Sequence, residues 1–265
     1  MNPEEQHDAG LTELDRRTEA AQAMGGEDKL ARRRQAGILN ARERVDYLVD
    51  GGSFQESGLL GESATRAEDR GRTPADGKVV GFAKVAGREV GVAANDFTVM
   101  GSSSSATNGK KIGHVKRVAT DRGFPLIFLG ESSGARMPDH MGSRGMGSLL
   151  GNDGTQYRRL RESPWASATL GPSYGSSSWY SVLSDFNVMR KGAVLAVSSP
   201  LLAALAMRED IDPEKTEARA RRSARLVLLH PVDRPLLTRW CCRAAWRFEV
   251  GTVRASQHRQ RPKPR

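Results

Sequence analysis

The amino-acid sequence predicts an α/β layered domain, on three observations. Short runs rich in Val, Ile and Leu alternate with segments of helical periodicity. Two of those runs, residues 78–85 and 88–94, stand two residues apart around Ala86-Gly87, the spacing of a hairpin. The loops that follow the later runs are rich in Gly and Ser, and strand-end loops carry the ligand chemistry of layered α/β folds.

Residues 1–40 are charged and helix-favouring, with Leu11, Leu14, Leu30 and Ile38 too sparse for a strong core face, so they predict peripheral helices. ARERVDYLVD (41–50) predicts a short amphipathic helix closed by Gly51-Gly52. Residues 61–76 are polar, contain Pro74, and predict a loop. After the hairpin, residues 96–100 are expected to continue extended. GSSSSATNG (101–109) reads as a loop leading into a helix over 110–122, where Ile112, Val115, Val118 and Ala119 share one face. Strands follow at 125–129, 166–170 and 193–198, with the loops GESSGARMP and GPSYGSSSWYS after the first two.

The charge is unevenly spread. The chain carries +10 overall, but residues 215–265 hold 12 Arg and 2 Lys against Glu217, Asp233 and Glu249, which is +11. The remaining 27 bases and 28 acids leave −1 over residues 1–214. Any polyanion affinity therefore rests on the tail, whose composition changes abruptly at Glu214 and suggests an altered reading frame or a non-native end. Cys241 and Cys242 are adjacent, poorly placed to pair with each other, and no His/Cys spacing offers a metal site. No apolar run nears the roughly 20 residues of a membrane span. The start is acidic where a secretory leader would be basic and then apolar, so a cytoplasmic location is expected.

Gly130-Glu131-Ser132-Ser133-Gly134 matches GxSxG directly after a strand, the setting of a nucleophile elbow, and makes a serine hydrolase with Ser132 the obvious first reading. Its base is missing: His140 is eight residues on, His230 and His258 lie in the basic tail, and no HGGG-type segment precedes the motif. A Walker A loop is excluded because Ser104 stands where the first Gly ahead of Gly109-Lys110 belongs. Two loops remain, at Ser133-Gly134-Ala135 and Gly175-Ser176-Ser177, each small enough for a ligand to approach main-chain N–H groups. Together they could form an oxyanion hole; spacing alone favours the plainer reading of tight strand-to-helix turns.

The segments ARERVDYLVDGGSF (41–54), DFTVMGSS (96–103), PLIFLGESSGAR (125–136), GPSYGSSSWYS (171–181) and DFNVM (185–189) together resemble the carboxyltransferase β-subunit of biotin-dependent acyl-CoA carboxylases, in that family's order. The resemblance covers roughly residues 30–214 and only the family's N-terminal, acyl-CoA-binding half. It implies a crotonase-like spiral of ββα units with peripheral N-terminal helices and an irregular C-terminal tail, and main-chain amides that stabilise a thioester enolate. Gly134 and Ala135 on one loop and Gly175 and Ser176 on the other would be the donors. Many relatives have Gly-Gly where this chain has Gly175-Ser176, but Ser keeps its N–H.

In the family, carboxybiotin on a partner protein releases CO2 and its ureido nitrogen takes the α-proton, so no side-chain base is required. The implied partners are acyl-CoA, the biotin carboxylase and biotin carboxyl carrier subunits, and further copies of the carboxyltransferase; no metal, membrane or nucleic acid is implied. Lys110 and Lys111 are candidates for CoA phosphates or, equally, a solvated pair; Arg136 is a candidate for CoA, with a local carboxylate the favoured partner. Tyr174 and Trp179 would wall the acyl pocket or pack inside, His114 would lie on the helix surface or pack, and Met137, Met141 and Met146 would be adaptable packing at an interface. With the biotin-side half of the family pattern missing, the expectation is a truncated acyl-CoA-binding half, inactive alone.

Overall fold

The structure, a computed structural model, describes residues 2–140, 142–143, 163–199, 202, 204–205 and 208. Three helices come first: α1 Pro3–Gln22, α2 Glu27–Gln35 and α3 Ala41–Leu48. A seven-stranded sheet follows, with α4 Ala106–Arg122, α5 Met137–His140 and α6 Ser176–Leu183 between its strands. The strands are β1 Gln55–Glu56, β2 Lys78–Val85, β3 Arg88–Asn95, β4 Leu126–Ser132, β5 Trp165–Tyr174, β6 Phe186–Met189 and β7 Val194–Ala196. β1, β2 and β3 pair antiparallel, and β3 to β6 run parallel. The long β5 takes β6 beside its first half and β7 beside its last three residues.

Strand pleating sorts the apolar residues into two layers. On one face Val79, Val92, Ala94, Ile127 and Leu129 bury Val45 and Leu48 of α3 and Met24 beyond α1. On the other, Val80, Ala93, Leu126 and Phe128 meet Ile112 and Val115 of α4, with Tyr180 of α6 packed alongside. Each residue of one layer is a sequence neighbour of one in the other, which fixes the register of every central strand.

The hairpin forms as expected. Ala86 and Gly87 both take positive φ, 52° and 78°, and the Asp50 carboxylate accepts from both of their N–H groups at 2.9 and 2.7 Å. Helix α4 begins at Ala106, four residues before the expected start, because Ser105 and Asn108 form a reciprocal capping box; Gly123 closes it in the left-handed conformation. The expectation of extended chain over 96–100 fails. The Asp96 carboxylate accepts from the Thr98 N–H at 3.0 Å and from its hydroxyl, turning the chain as soon as β3 ends. The short β1 and β6 were not expected as strands.

The N-terminal helices do more than decorate the surface. Thr98 accepts from the Gly25 N–H and from the Lys29 ammonium, and Arg33 of α2 reaches Glu131 at the end of β4. The basic tail at 215–265, with Cys241, Cys242, His230 and His258, lies outside the described residues.

Candidate functional site

The parallel pairing of β4 with β5 sets Ser132 opposite Ser173, so the turns that leave these strands emerge side by side at one end of the sheet. This is why residues some forty positions apart meet. A Cβ built on Gly175 would lie 3.4 Å from the Gly134 Cα and 3.8 Å from the Ala135 nitrogen. Both glycines need their freedom: Gly134 has φ 104°, and Gly175 has φ 59° with ψ −127°.

Of the four expected amide donors, two are occupied. Gly134 N–H donates to Ser132 Oγ at 3.1 Å and Gly175 N–H to the Val197 carbonyl at 3.1 Å. The neighbouring Ser133 and Arg136 amides donate to Gly101 and Ser104 carbonyls, each at 2.8 Å. The N–H groups of Ala135 and Ser176 have no acceptor among the described residues. Ala135 is exposed, and Ser176 is the first residue of α6, where the helix presents its positive end. One free donor thus comes from each turn.

A polar layer supports these turns. Residues 75–76 and 100–102 run in the left-handed region, at Ala75, Asp76, Met100, Gly101 and Ser102, strain of the kind found beside functional sites. Buried ammonium groups pin these segments: Lys111 donates to Ala75 O and Lys78 O at 2.7 Å, and Lys78 donates to Ser102 O at 2.7 Å and Ser102 Oγ at 2.8 Å. Burial pushes Lys111 down to about 8 and Lys78 down to about 7. The Arg136 guanidinium is buried, donating to Asp76 Oδ1 at 2.6 Å and Ser103 Oγ at 3.1 Å.

The structure places the remaining candidates as follows. Lys111 is held inside the protein, its ammonium donating to the Ala75 and Lys78 carbonyls. Arg136 pairs with the local carboxylate of Asp76. Lys110 is exposed on the second turn of α4, and His114 is exposed with its ring edge-on to Phe82. Tyr174 ends β5 half-buried, its Cβ 3.6 Å from a Cβ built on Gly134; Trp179 is exposed on α6. Met137 is exposed on α5, whereas Met141 and Met146 lie outside the described residues.

The hydrolase reading of Ser132 is overturned. Ser132 closes β4 fully buried, and its Oγ donates to the Ser102 carbonyl at 2.9 Å while accepting from Gly134. His140 turns Nε2 to the Ser104 carbonyl at 2.9 Å instead. A fluorophosphonate probe is therefore expected to leave Ser132 unmodified by peptide mass mapping; a labelled Ser132 peptide would contradict this.

Sequence reasoning missed Asp76, Ser104 and Glu131, since an isolated Asp in a polar loop and a Ser in a Ser run carry no motif. Among the described residues no helix is long and apolar enough to cross a membrane.

A family model described as carboxyl transferase domain matches residues 32–222. The chain is 35% identical over 185 residues to the propionyl-CoA carboxylase carboxyltransferase subunit of Haloferax mediterranei, covering 68% of this chain and 35% of that protein. It is 31% identical over 210 residues to the methylmalonyl-CoA carboxyltransferase 12S subunit of Propionibacterium freudenreichii subsp. shermanii, covering 77% and 39%. The crystal structure of a transcarboxylase 12S hexamer with methylmalonyl-coenzyme A and methylmalonic acid bound superposes with a TM-score of 0.70 at 30% identity, over 82% of this chain and 43% of that one. The fold is accordingly crotonase-like, and the chain spans about two fifths of the length of these relatives.

Proposed function

This chain belongs to the carboxyl transferase domain family, and from that premise we propose that it is the acyl-CoA-binding half of a biotin-dependent carboxyltransferase, acting on the α-carbon of a short acyl-CoA. The carrying observation is the juxtaposition of two amides without an acceptor among the described residues, Ala135 N–H and Ser176 N–H, at adjoining turns. Two donors on adjoining turns suit a thioester oxygen that becomes negative when the α-proton leaves. As charge moves from the α-carbon to that oxygen, both amides and the N-terminal end of α6 stabilise it without rearranging. Ala135 is exposed and Gly175 half-buried, so a ligand reaches the pair from solvent.

Carboxybiotin, presented by a carrier protein, would supply the CO2 and the nitrogen that takes the proton. This chain's contribution is confined to the thioester side: it binds the acyl group, orients the α-carbon and polarises the carbonyl. Ser132 and His140 are committed to main-chain groups, and a mechanism without a side-chain base fits that arrangement. Tyr174, beside Gly134, is proposed to wall the acyl pocket, and exposed Lys110 to meet a CoA phosphate, a role Lys111 cannot share. Since the chain spans about two fifths of its relatives, the transfer reaction is proposed in company with a biotin-side half and with further copies of the subunit.

Calorimetric titration of the full chain with acetyl-, propionyl- and longer acyl-CoAs tests the reading. Saturable binding of the short acyl-CoAs is expected, and it should survive deletion of residues 215–265. Absence of binding for every acyl-CoA would overturn the proposal.

A further inference from the structure

We infer that Ser104 is a positioning residue that sets the separation of the two free amides. The inference rests on reading Ala135 and Ser176 as the thioester donors, and says what holds them in place. Ser104 lies between the 3-10 turn Met100–Ser102 and α4, and it touches both glycine turns.

Its main chain runs beside Ala135 as an isolated parallel bridge. Ser104 N–H donates to Gly134 O at 2.8 Å, and Ser104 O accepts from Arg136 N–H at 2.8 Å. In such a bridge the residue that is straddled directs its own N–H away from its partner. The clamp on Gly134 and Arg136 therefore leaves the Ala135 N–H for a ligand. His140 Nε2 donates to the same Ser104 carbonyl at 2.9 Å, a third strut on this segment.

The Ser104 side chain completes the link. Its hydroxyl is hydrogen-bonded to the hydroxyl of Ser176, the first residue of α6. That helix start has no side-chain cap of its own, because Gly175 occupies the N-cap position. The Ser104–Ser176 bond supplies a tether there and restricts the rotamer of Ser176, whose Cβ is the group that could crowd an acyl chain. Donors that share one oxygen tolerate errors of only about 0.5 Å, so a residue bonded to both turns controls whether they act together.

The test compares affinity for propionyl-CoA with affinity for its thioether, S-propyl-CoA, which lacks the carbonyl. The wild-type chain should prefer the thioester. Ser104→Ala should lower thioester affinity about fivefold, the loss that corresponds to one hydrogen bond of about 1 kcal/mol, with thioether affinity unchanged; Ser104→Thr should restore it. Ser176→Ala breaks the same bond from the other side, leaves the Ser104 main chain intact and should reproduce the loss.

If the wild type shows no thioester preference, the donor reading itself fails. If the preference exists and both alanine variants keep it, or if affinity for both ligands falls together, the role of Ser104 is refuted while the donor reading stands.

Discussion

Replacing Glu131 with Gln is expected to destabilise the folded chain by about 3–5 kcal/mol, the usual cost of leaving a buried charge without its partner. Glu131 precedes Ser132 at the end of β4, and its carboxylate accepts from Arg33 Nη1 and Nη2 at 3.1 and 2.7 Å and from Arg44 Nη1 at 2.6 Å. The Arg44 side chain is 5% exposed and that of Arg33 12%, so neither cation gains water when the carboxylate charge is removed. Against a typical domain stability of about 5–15 kcal/mol, the loss is large. Gly171 leaves no room for relaxation, since a Cβ there would come within 2.7 Å of Glu131 Oε1.

Burial alone would raise the Glu131 pKa, but Arg44 and Arg33 more than offset it and hold the carboxyl below its ordinary value of 4.5. A carboxyl lowered in the folded state stabilises above its unfolded pKa and loses that contribution as pH falls through its folded one. The urea midpoint of the wild type should drop on acidification below about pH 4.5, and that part of the drop should vanish in Glu131→Gln. Equal midpoints for the two proteins at pH 7 would refute the account of this cluster.

The largest expected effect on turnover comes from the Ala135 amide. Exchanging the Ala135 N–H for an ester oxygen, with lactate in place of alanine, removes one donor and keeps the side chain. With the biotin-side half supplied, the transfer rate should fall about 10²–10³-fold, the measured scale for losing one oxyanion donor in other enzymes. Ala135→Gly, which keeps the N–H, should stay within a few-fold of wild type. An ester variant as fast as wild type would remove Ala135 from the mechanism.

The parts of this fold legible in the sequence are those governed by local periodicity. The hairpin strands appear almost to the residue because Val-rich runs flank a two-residue turn, and ARERVDYL announces its helix through apolar spacing; its Asn40 cap emerges only in the structure. The start of α4 was hidden because its cap is Ser105 with Asn108, in a run of serines any of which could serve. The turn at 96–99 was hidden because an Asp side chain, not a Gly or Pro, bends the chain.

At the site, small residues after two strands marked two turns that the structure brings together, but which amides stay free depends on partners distant in sequence. Val197 takes the Gly175 N–H, and the Ser132 hydroxyl takes that of Gly134. Lys111 shows the converse: a lysine at a helix start looks available for phosphate until a loop 36 residues earlier folds over its ammonium.

The most direct measurement is the isotope-edited infrared spectrum of propionyl-CoA carrying 13C at the thioester carbon, bound to the full chain. Two amide donors on that oxygen weaken the C=O bond, so the stretch should move to lower frequency than in free ligand, and part of the shift should disappear in the Ala135 ester variant. A bound carbonyl that absorbs where the free one does would contradict the account.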